Sequence, residues 1–321
     1  MHSYKNFTCN ISVLHVNTAF RSVFEMTPNL SSSLAFFFIF FAFASGQNAS
    51  TMQNTSTTTK TFTLYNHCKA TIWPGIITKG DSGRGNGFTL NPGQTAFYTA
   101  PTGWSGRIWA RTNCNFDKNG TGSCQTGSCG TSLNCSRPSS PPNTIAEFTL
   151  GDIDFYDVSL VDGFNLPIVV QPLNGKGNCS IAGCDGDVRN SCPSELSVRS
   201  DGKVIACRSA CNVFDTDEYC CRGAYSDPVA CVPSNYSRGF KQICPASSSY
   251  AFDGDATSII TCSASDYIVT FCASRNQTFC SYHDNKVICN DTRSGSKALL
   301  PQGWWNLMVT LPLAFILQTK I

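Results

Sequence analysis

The chain has 321 residues, of which 14% are charged and 19 are cysteine, with a formal net charge of +2. Near-neutrality without any Lys/Arg run excludes a charge-built nucleic-acid surface. The cysteine count excludes a reduced cytosolic setting, because in an oxidising compartment so many thiols become crosslinks.

In chain order, the first feature is the apolar run 34–44, Leu-Ala-Phe-Phe-Phe-Ile-Phe-Phe-Ala-Phe-Ala. It is shorter than the roughly 20 residues a bilayer span needs and has signal-peptide length. Small residues follow at Ala44, Ser45 and Gly46, so residues 1–46 read as a leader cleaved before Gln47. Met26 offers an alternative start, which would make 1–25 a gene-model extension and leave Cys9 outside the mature chain. Residues 47–60 are rich in Ser, Thr and Asn without an apolar period, and read as a flexible linker.

Strand patterning begins at 61–66 and 70–73, where apolar and polar residues alternate. The glycines at 83, 85 and 87 mark a turn; their spacing is wrong for a nucleotide loop and no helix follows. Residues 106–112 form another strand, with Arg107 and Trp109 on one face. From Cys114 to Cys135 four cysteines sit among Gly, Asn, Ser and Thr, giving a small lobe defined by disulfides. Residues 145–150 and 155–161 return to strand. Residues 179–244 form a second cysteine-dense lobe with two helix candidates, 214–221 and 234–243, the latter capped by Ser234 and weakened by Gly239. Residues 267–272 are the last strand of the framework.

Of the 19 cysteines, all but Cys9, Cys280 and Cys289 lie between Cys68 and Cys272, an even 16. Their spacings lack paired knuckles, and the framework holds no histidine; His67 and His283 only flank it. Zinc binding and Cys–His catalysis are therefore disfavoured, and no metal or cofactor is expected. Cys280 and Cys289 can pair with each other. Sequons at Asn48, Asn54, Asn119, Asn235, Asn276 and Asn290 mark surface glycosylation sites in a secreted chain. Those at Asn134 and Asn178 carry cysteine in the middle position and are poor acceptors. Residues 273–296 read as a linker, and 297–321 as a candidate glycolipid-anchor signal attached at Ser294. Asn306, Pro312 and the polar ending speak instead for an extracellular tail.

Several motifs stand out: 106–114 (Gly-Arg-Ile-Trp-Ala-Arg-Thr-Asn-Cys), 122–130 (Gly-Ser-Cys-Gln-Thr-Gly-Ser-Cys-Gly) and 141–148 (Pro-Pro-Asn-Thr-Ile-Ala-Glu-Phe). The run 154–167 (Asp-Phe-Tyr-Asp-Val-Ser-Leu-Val-Asp-Gly-Phe-Asn-Leu-Pro) joins them, with 218–221 (Glu-Tyr-Cys-Cys), 237–241 (Ser-Arg-Gly-Phe-Lys) and 267–272 (Tyr-Ile-Val-Thr-Phe-Cys). Together they resemble plant thaumatin-like proteins, the osmotin-like, pathogenesis-related group. The resemblance covers 61–272. It implies an all-β dominated fold, a flattened β-sandwich with a disulfide-rich helical lobe and a small disulfide lobe. The sandwich would take 61–111, 144–185 and 245–272, the small lobe 112–143 and the helical lobe 186–244. It also implies eight disulfides: Cys68–Cys272, Cys114–Cys124, Cys129–Cys135, Cys179–Cys262, Cys184–Cys244, Cys192–Cys207, Cys211–Cys220 and Cys221–Cys231. Two family acids are missing, replaced by Ser128 and Ala246.

The resemblance further implies an acidic cleft of Arg107, Glu147, Asp157, Asp162 and Asp255, with Asp253 an alternative for the last. If the cleft hydrolysed glycosides, Glu147 would be the acid and Asp162 the base. Five positions separate Asp157 from Asp162, roughly 17 Å on a straight strand and on opposite faces. They can share a site only if the chain bends near Asp162 and Gly163 or if the cleft is wide, and a wide cleft suits polysaccharide binding better than a tight catalytic pair. The expected function is a secreted or surface-anchored defence protein that binds cell-wall β-1,3-glucan and acts against fungi, as a monomer and without nucleic acid. Alternatives are a weak endo-β-1,3-glucanase, an inhibitor of microbial xylanase or amylase, and a developmental wall protein; membranes are a further expected partner.

Overall fold

The computed structural model describes residues 58–80, 85–254, 257–263, 266–276, 278–283 and 286–291. The leader, Asn48, Asn54, Asp255, Ser294 and the C-terminal tail lie outside the described residues.

Strands come first: β1 (Thr59–Asn66), β2 (Ile72–Thr78), β3 (Asn86–Gly87), β4 (Thr95–Pro101), β5 (Ser105–Phe116) and β6 (Gly122–Thr126). β7 (Ile145–Thr149), β8 (Asp154–Ser159), β9 (Ile168–Leu173) and β10 (Ala182–Gly183) follow. The helical lobe contains β11 (Ser197–Ser200), β12 (Lys203–Cys207), α1 (Ala210–Phe214), α2 (Asp217–Cys220) and α3 (Asn235–Ile243). The chain then returns through β13 (Ile260–Cys262) and β14 (Asp266–Phe271) to a hairpin, β15 (Thr278–His283) and β16 (Lys286–Asp291).

A five-stranded sheet, β10-β9-β14-β1-β4, faces a seven-stranded one, β13-β8-β7-β5-β2-β3 with β6 paired to β5. Alternation explains the sandwich: Phe62 and Leu64 of β1, Ile108 of β5, Phe148 of β7 and Tyr156 and Val158 of β8 all point into one core. Phe62 stacks on Tyr267 at 5.5 Å and meets Phe148 edge-on at 4.7 Å. Across this apolar layer runs one polar link. Asp154 of β8, fully buried, takes bonds from Lys60 of β1, from the Tyr267 hydroxyl of β14 and from the Gly151 N–H. It ties one sheet to the other at a point where an unpaired charge would be very costly.

Nine disulfides staple the described chain. Eight lie within 68–272: Cys68–Cys272, Cys114–Cys124, Cys129–Cys135, Cys179–Cys262, Cys184–Cys244, Cys192–Cys207, Cys211–Cys220 and Cys221–Cys231. Cys280–Cys289 is the ninth. The small lobe grows out of β5, which continues past Cys114 and pairs with β6. Arg111, fully buried, holds the lobe by donating to the carbonyls of Trp73, Pro74 and Leu133.

Two local expectations are corrected. The helix expected over 214–221 shrinks to α2 alone, because α1 ends at Phe214 where Asp215 takes a left-handed φ of 50°, and Thr216 caps α2. The interval 273–296, expected as linker, holds the β15–β16 hairpin. This hairpin lies on the outer face of the five-stranded sheet, with Cys280 against Ile268, Tyr65, Leu173 and Cys289. The four described acceptor sequons, Asn119, Asn235, Asn276 and Asn290, are exposed.

Candidate functional site: an acid row on the outer sheet face

β5, β7 and β8 are antiparallel neighbours, and their register sets Arg107 opposite Glu147 and Glu147 opposite Asp157. Residues directly opposite share a face, so three separate stretches of sequence deliver one row of charge. The Arg107 Nε donates to Glu147 Oε1 at 2.6 Å. Asp157 Oδ2 accepts from the Ser248 hydroxyl at 2.8 Å. Burial first, and then the neighbouring charge of Glu147, push the Asp157 carboxyl from 3.8 up to about 7, although Ser248 and Arg107 act the other way.

Asp162 reaches this row because the strand stops. β8 ends at Ser159, and a tight turn closes with the Gly163 N–H on the Leu160 carbonyl at 2.9 Å. Gly163 has φ of 91°, and a Cβ there would lie 2.6 Å from the Cys207 carbonyl oxygen, so the bend requires glycine. The turn brings Asp162 within the fields of Arg107 and Glu147. Burial raises its carboxyl, with Arg107 opposing.

Asp253 behaves differently. Burial acts to raise its carboxyl, but a set of donors outweighs it and holds the carboxyl below its ordinary value. They are the Ser249 N–H and hydroxyl (2.8 Å each), the Ser258 hydroxyl (2.7 Å) and the Lys241 ammonium (3.0 Å). It braces a loop, and its charge is felt at Asp157.

Arg107, Glu147 and Asp157 line a groove of about 560 Å³. Its lining also has an apolar part: Phe155, 48% exposed and two positions before Asp157 on β8, and Ile259, 44% exposed. Asp162 is not among the lining residues; its neighbour Val161 opens onto a smaller crevice of the helical lobe. The arrangement suits a polyhydroxylated ring. Carboxylates accept from hydroxyls, the guanidinium donates, and a flat apolar wall takes the C–H face.

Sequence reading missed Ser248, Phe155 and Ile259. Ser248 meets the row through a parallel bridge to Ser159, a contact nearly 90 residues apart in sequence that no local pattern encodes. Phe155 was legible only as an alternating strand position; its exposure depends on what packs over the sheet edge.

A two-sheet sandwich stapled throughout by cystines, with an acid row on its outer face, defines the class of scaffold to which the chain belongs. The chain belongs to the thaumatin family, whose model matches residues 66–273. It is 56% identical over 216 residues to pathogenesis-related thaumatin-like protein 3.5 of Cryptomeria japonica, covering 66% of this chain and 90% of that protein. It is 51% identical over 215 residues to pathogenesis-related protein 5 of Arabidopsis thaliana, covering 66% and 89%. The solved thaumatin-like xylanase inhibitor aligns with 25% identity and a TM-score of 0.38, covering 66% of this chain and 99% of that one. Among the described residues no helix is long and apolar enough to cross a membrane.

Proposed function

We propose that the chain is a secreted plant defence protein, held at the cell surface if the tail anchors at Ser294, whose groove binds cell-wall β-1,3-glucan and acts against fungi. The observation that supports this reading most is the cross-strand row Arg107–Glu147–Asp157 with the exposed ring of Phe155 beside Asp157 on the same strand face, all lining one groove. Asp162 completes the acid set from the turn. Fungal or host wall glucan is the partner, and the pathogenesis-related relatives supply the setting. Sedimentation with insoluble β-1,3-glucan tests the proposal. Wild type co-sediments, whereas Asp157→Asn/Asp162→Asn and Phe155→Ala each lower binding by about tenfold, on the order of one charged hydrogen bond or one stacked ring. Unchanged sedimentation of both variants overturns it. Release of the protein from plant membranes by a phospholipase tests the anchor.

A second reading, weak endo-β-1,3-glucanase activity, draws on the split in protonation. One carboxyl of the row stays protonated near neutrality while another is engaged with a cation, which is the pairing glycoside hydrolysis needs. That split makes Asp157 the proton donor and Glu147, ion-paired with Arg107, the base, in place of the acid and base roles that the resemblance implied for Glu147 and Asp162. Reducing ends released from laminarin above a Glu147→Gln control support it; equal release removes it.

A further inference from the structure

The helical lobe displays three aromatic rings beyond its own core. That core is Leu160, Phe164, Val188, Leu196 and Phe240 with their cystines. Phe214, Tyr219 and Tyr236 form a cluster at its margin, with centroids 5.3, 5.5 and 5.9 Å apart. Phe214 is 38% exposed, and Tyr236 packs only partly against the core.

The rings come from α1, α2 and α3 in turn. Cys211–Cys220 crosslinks α1 to α2, and the Ser234 hydroxyl caps α3. Ring positions are therefore fixed before anything binds, which lowers the entropic cost of association. The Tyr236 hydroxyl donates to Glu195 Oε1 at 3.0 Å, so a carboxylate stands at the edge of the cluster. Tyr219 and Tyr236 also line a crevice together with Val161, the residue preceding Asp162. The crevice shares no lining residue with the groove, and the link between the two runs through Val161 and Asp162 of the turn.

Surrounding charge narrows the ligand. Asp215, Asp217 and Glu218 lie within two residues of Phe214 or Tyr219 along the chain and Glu195 bonds Tyr236, while Arg222 is paired to Asp215 at 2.9 Å and Asp217 at 3.5 Å and Arg238 of α3 bonds Asn235. An anionic membrane would be repelled. A neutral polyhydroxylated chain is not, because C–H faces of pyranose rings stack on the negative faces of aromatics while their hydroxyls donate to the carboxylates.

We infer that Phe214, Tyr219 and Tyr236 form a landing surface for a β-glucan chain, a second subsite that extends the acidic groove onto the helical lobe. It rests on the glucan reading of the groove. It predicts that long oligosaccharides gain affinity over short ones through the lobe.

Aromatic ¹H–¹³C spectra of the full chain titrated with laminarihexaose and with laminaribiose test it. Hexaose is expected to shift the three rings together with Phe155, and biose to shift Phe155 alone. Phe214→Ser/Tyr219→Ser is expected to lower hexaose affinity by about tenfold with biose affinity unchanged, and Tyr219→Phe to retain it. Near-UV circular dichroism and an intact disulfide count confirm that the double variant is folded. Groove shifts without ring shifts, no shifts at all, or undiminished hexaose affinity in the folded double variant each overturn the inference. Ring shifts without groove shifts remove the groove reading and, with it, a second subsite that extends the groove.

Discussion

At the scale of single residues, Asp157 is where burial and charge conflict. Its unfolded carboxyl loses a proton near 3.8, while the folded one keeps it to about 7. The native state therefore binds the extra proton between these values. Stability from this group is complete below about pH 4 and is lost as pH rises to about 7. Asp157→Asn keeps an acceptor for Ser248 and removes that loss. Thermal melts should show the variant gaining on wild type between pH 4 and pH 8 by on the order of 2 kcal/mol, about 4–8 °C, since solvent in the groove screens part of the full effect. A pH-independent difference would refute the assignment. Asp154 is the opposite case, a buried acid with every bond satisfied. Asp154→Asn leaves the Lys60 ammonium buried without its counter-ion, and should cost about 3–5 kcal/mol in denaturant unfolding. Composition could not separate these two acids. Both stand on β8, three positions apart, and the period of two sends Asp154 inward and Asp157 outward.

At the scale of elements, strands were the most legible part of the sequence. Alternation at 61–66, 106–112, 145–150 and 267–272 falls on β1, β5, β7 and β14. Helices were less so, because a nine-residue disulfide separation at Cys211–Cys220 forces a corner where propensity alone would continue a helix. The β15–β16 hairpin was read as linker for a similar reason. Its signal lies in what it covers, the Ile268 and Tyr65 face of another strand pair, rather than in its own pattern. Cys280–Cys289 joins its two strands to each other; among the described residues it meets the sandwich through the Gln171 amide to the Cys280 carbonyl at 3.2 Å, Thr270 Oγ1 to Cys280 Sγ at 3.4 Å and His67 to Asp291 at 3.0 Å. Cys280→Ser/Cys289→Ser should therefore loosen this element first. Hydrogen exchange at 278–283 and 286–291 is expected to accelerate, with a loss on the order of 2 kcal/mol and the acid row undisturbed. Equal acceleration across β5, β7 and β8 would show that the hairpin is integral to the sandwich.

At the scale of the molecule, covalent closure dominates. Cys68 and Cys272 join β1 to the end of β14 across a sequence separation of 204. In the chain-entropy account a loop of that length contributes about 5 kcal/mol. The shorter staples fix lobes whose Gly-, Ser- and Asn-rich sequence supplies little core. Full reduction should lower the melting temperature by more than about 15 °C and open the helical lobe to proteolysis at 186–244 before the sandwich. Retention of protease resistance after reduction would show that packing alone holds the lobe.

The sequence by itself determined the alternating strands and the density of cysteine, because each is written in residue type or local period, whereas the cleft residues were named only through the family resemblance. It left the pairing of 16 cysteines open until a family resemblance supplied one. Tertiary structure decided which acids act together. Register across β5, β7 and β8 aligns Arg107, Glu147 and Asp157, and a glycine turn swings Asp162 toward them. Donors from α3 and its following loop draw Asp253 away into bracing. Those outcomes depend on contacts between segments tens of residues apart, whose energies no stretch of chain carries alone.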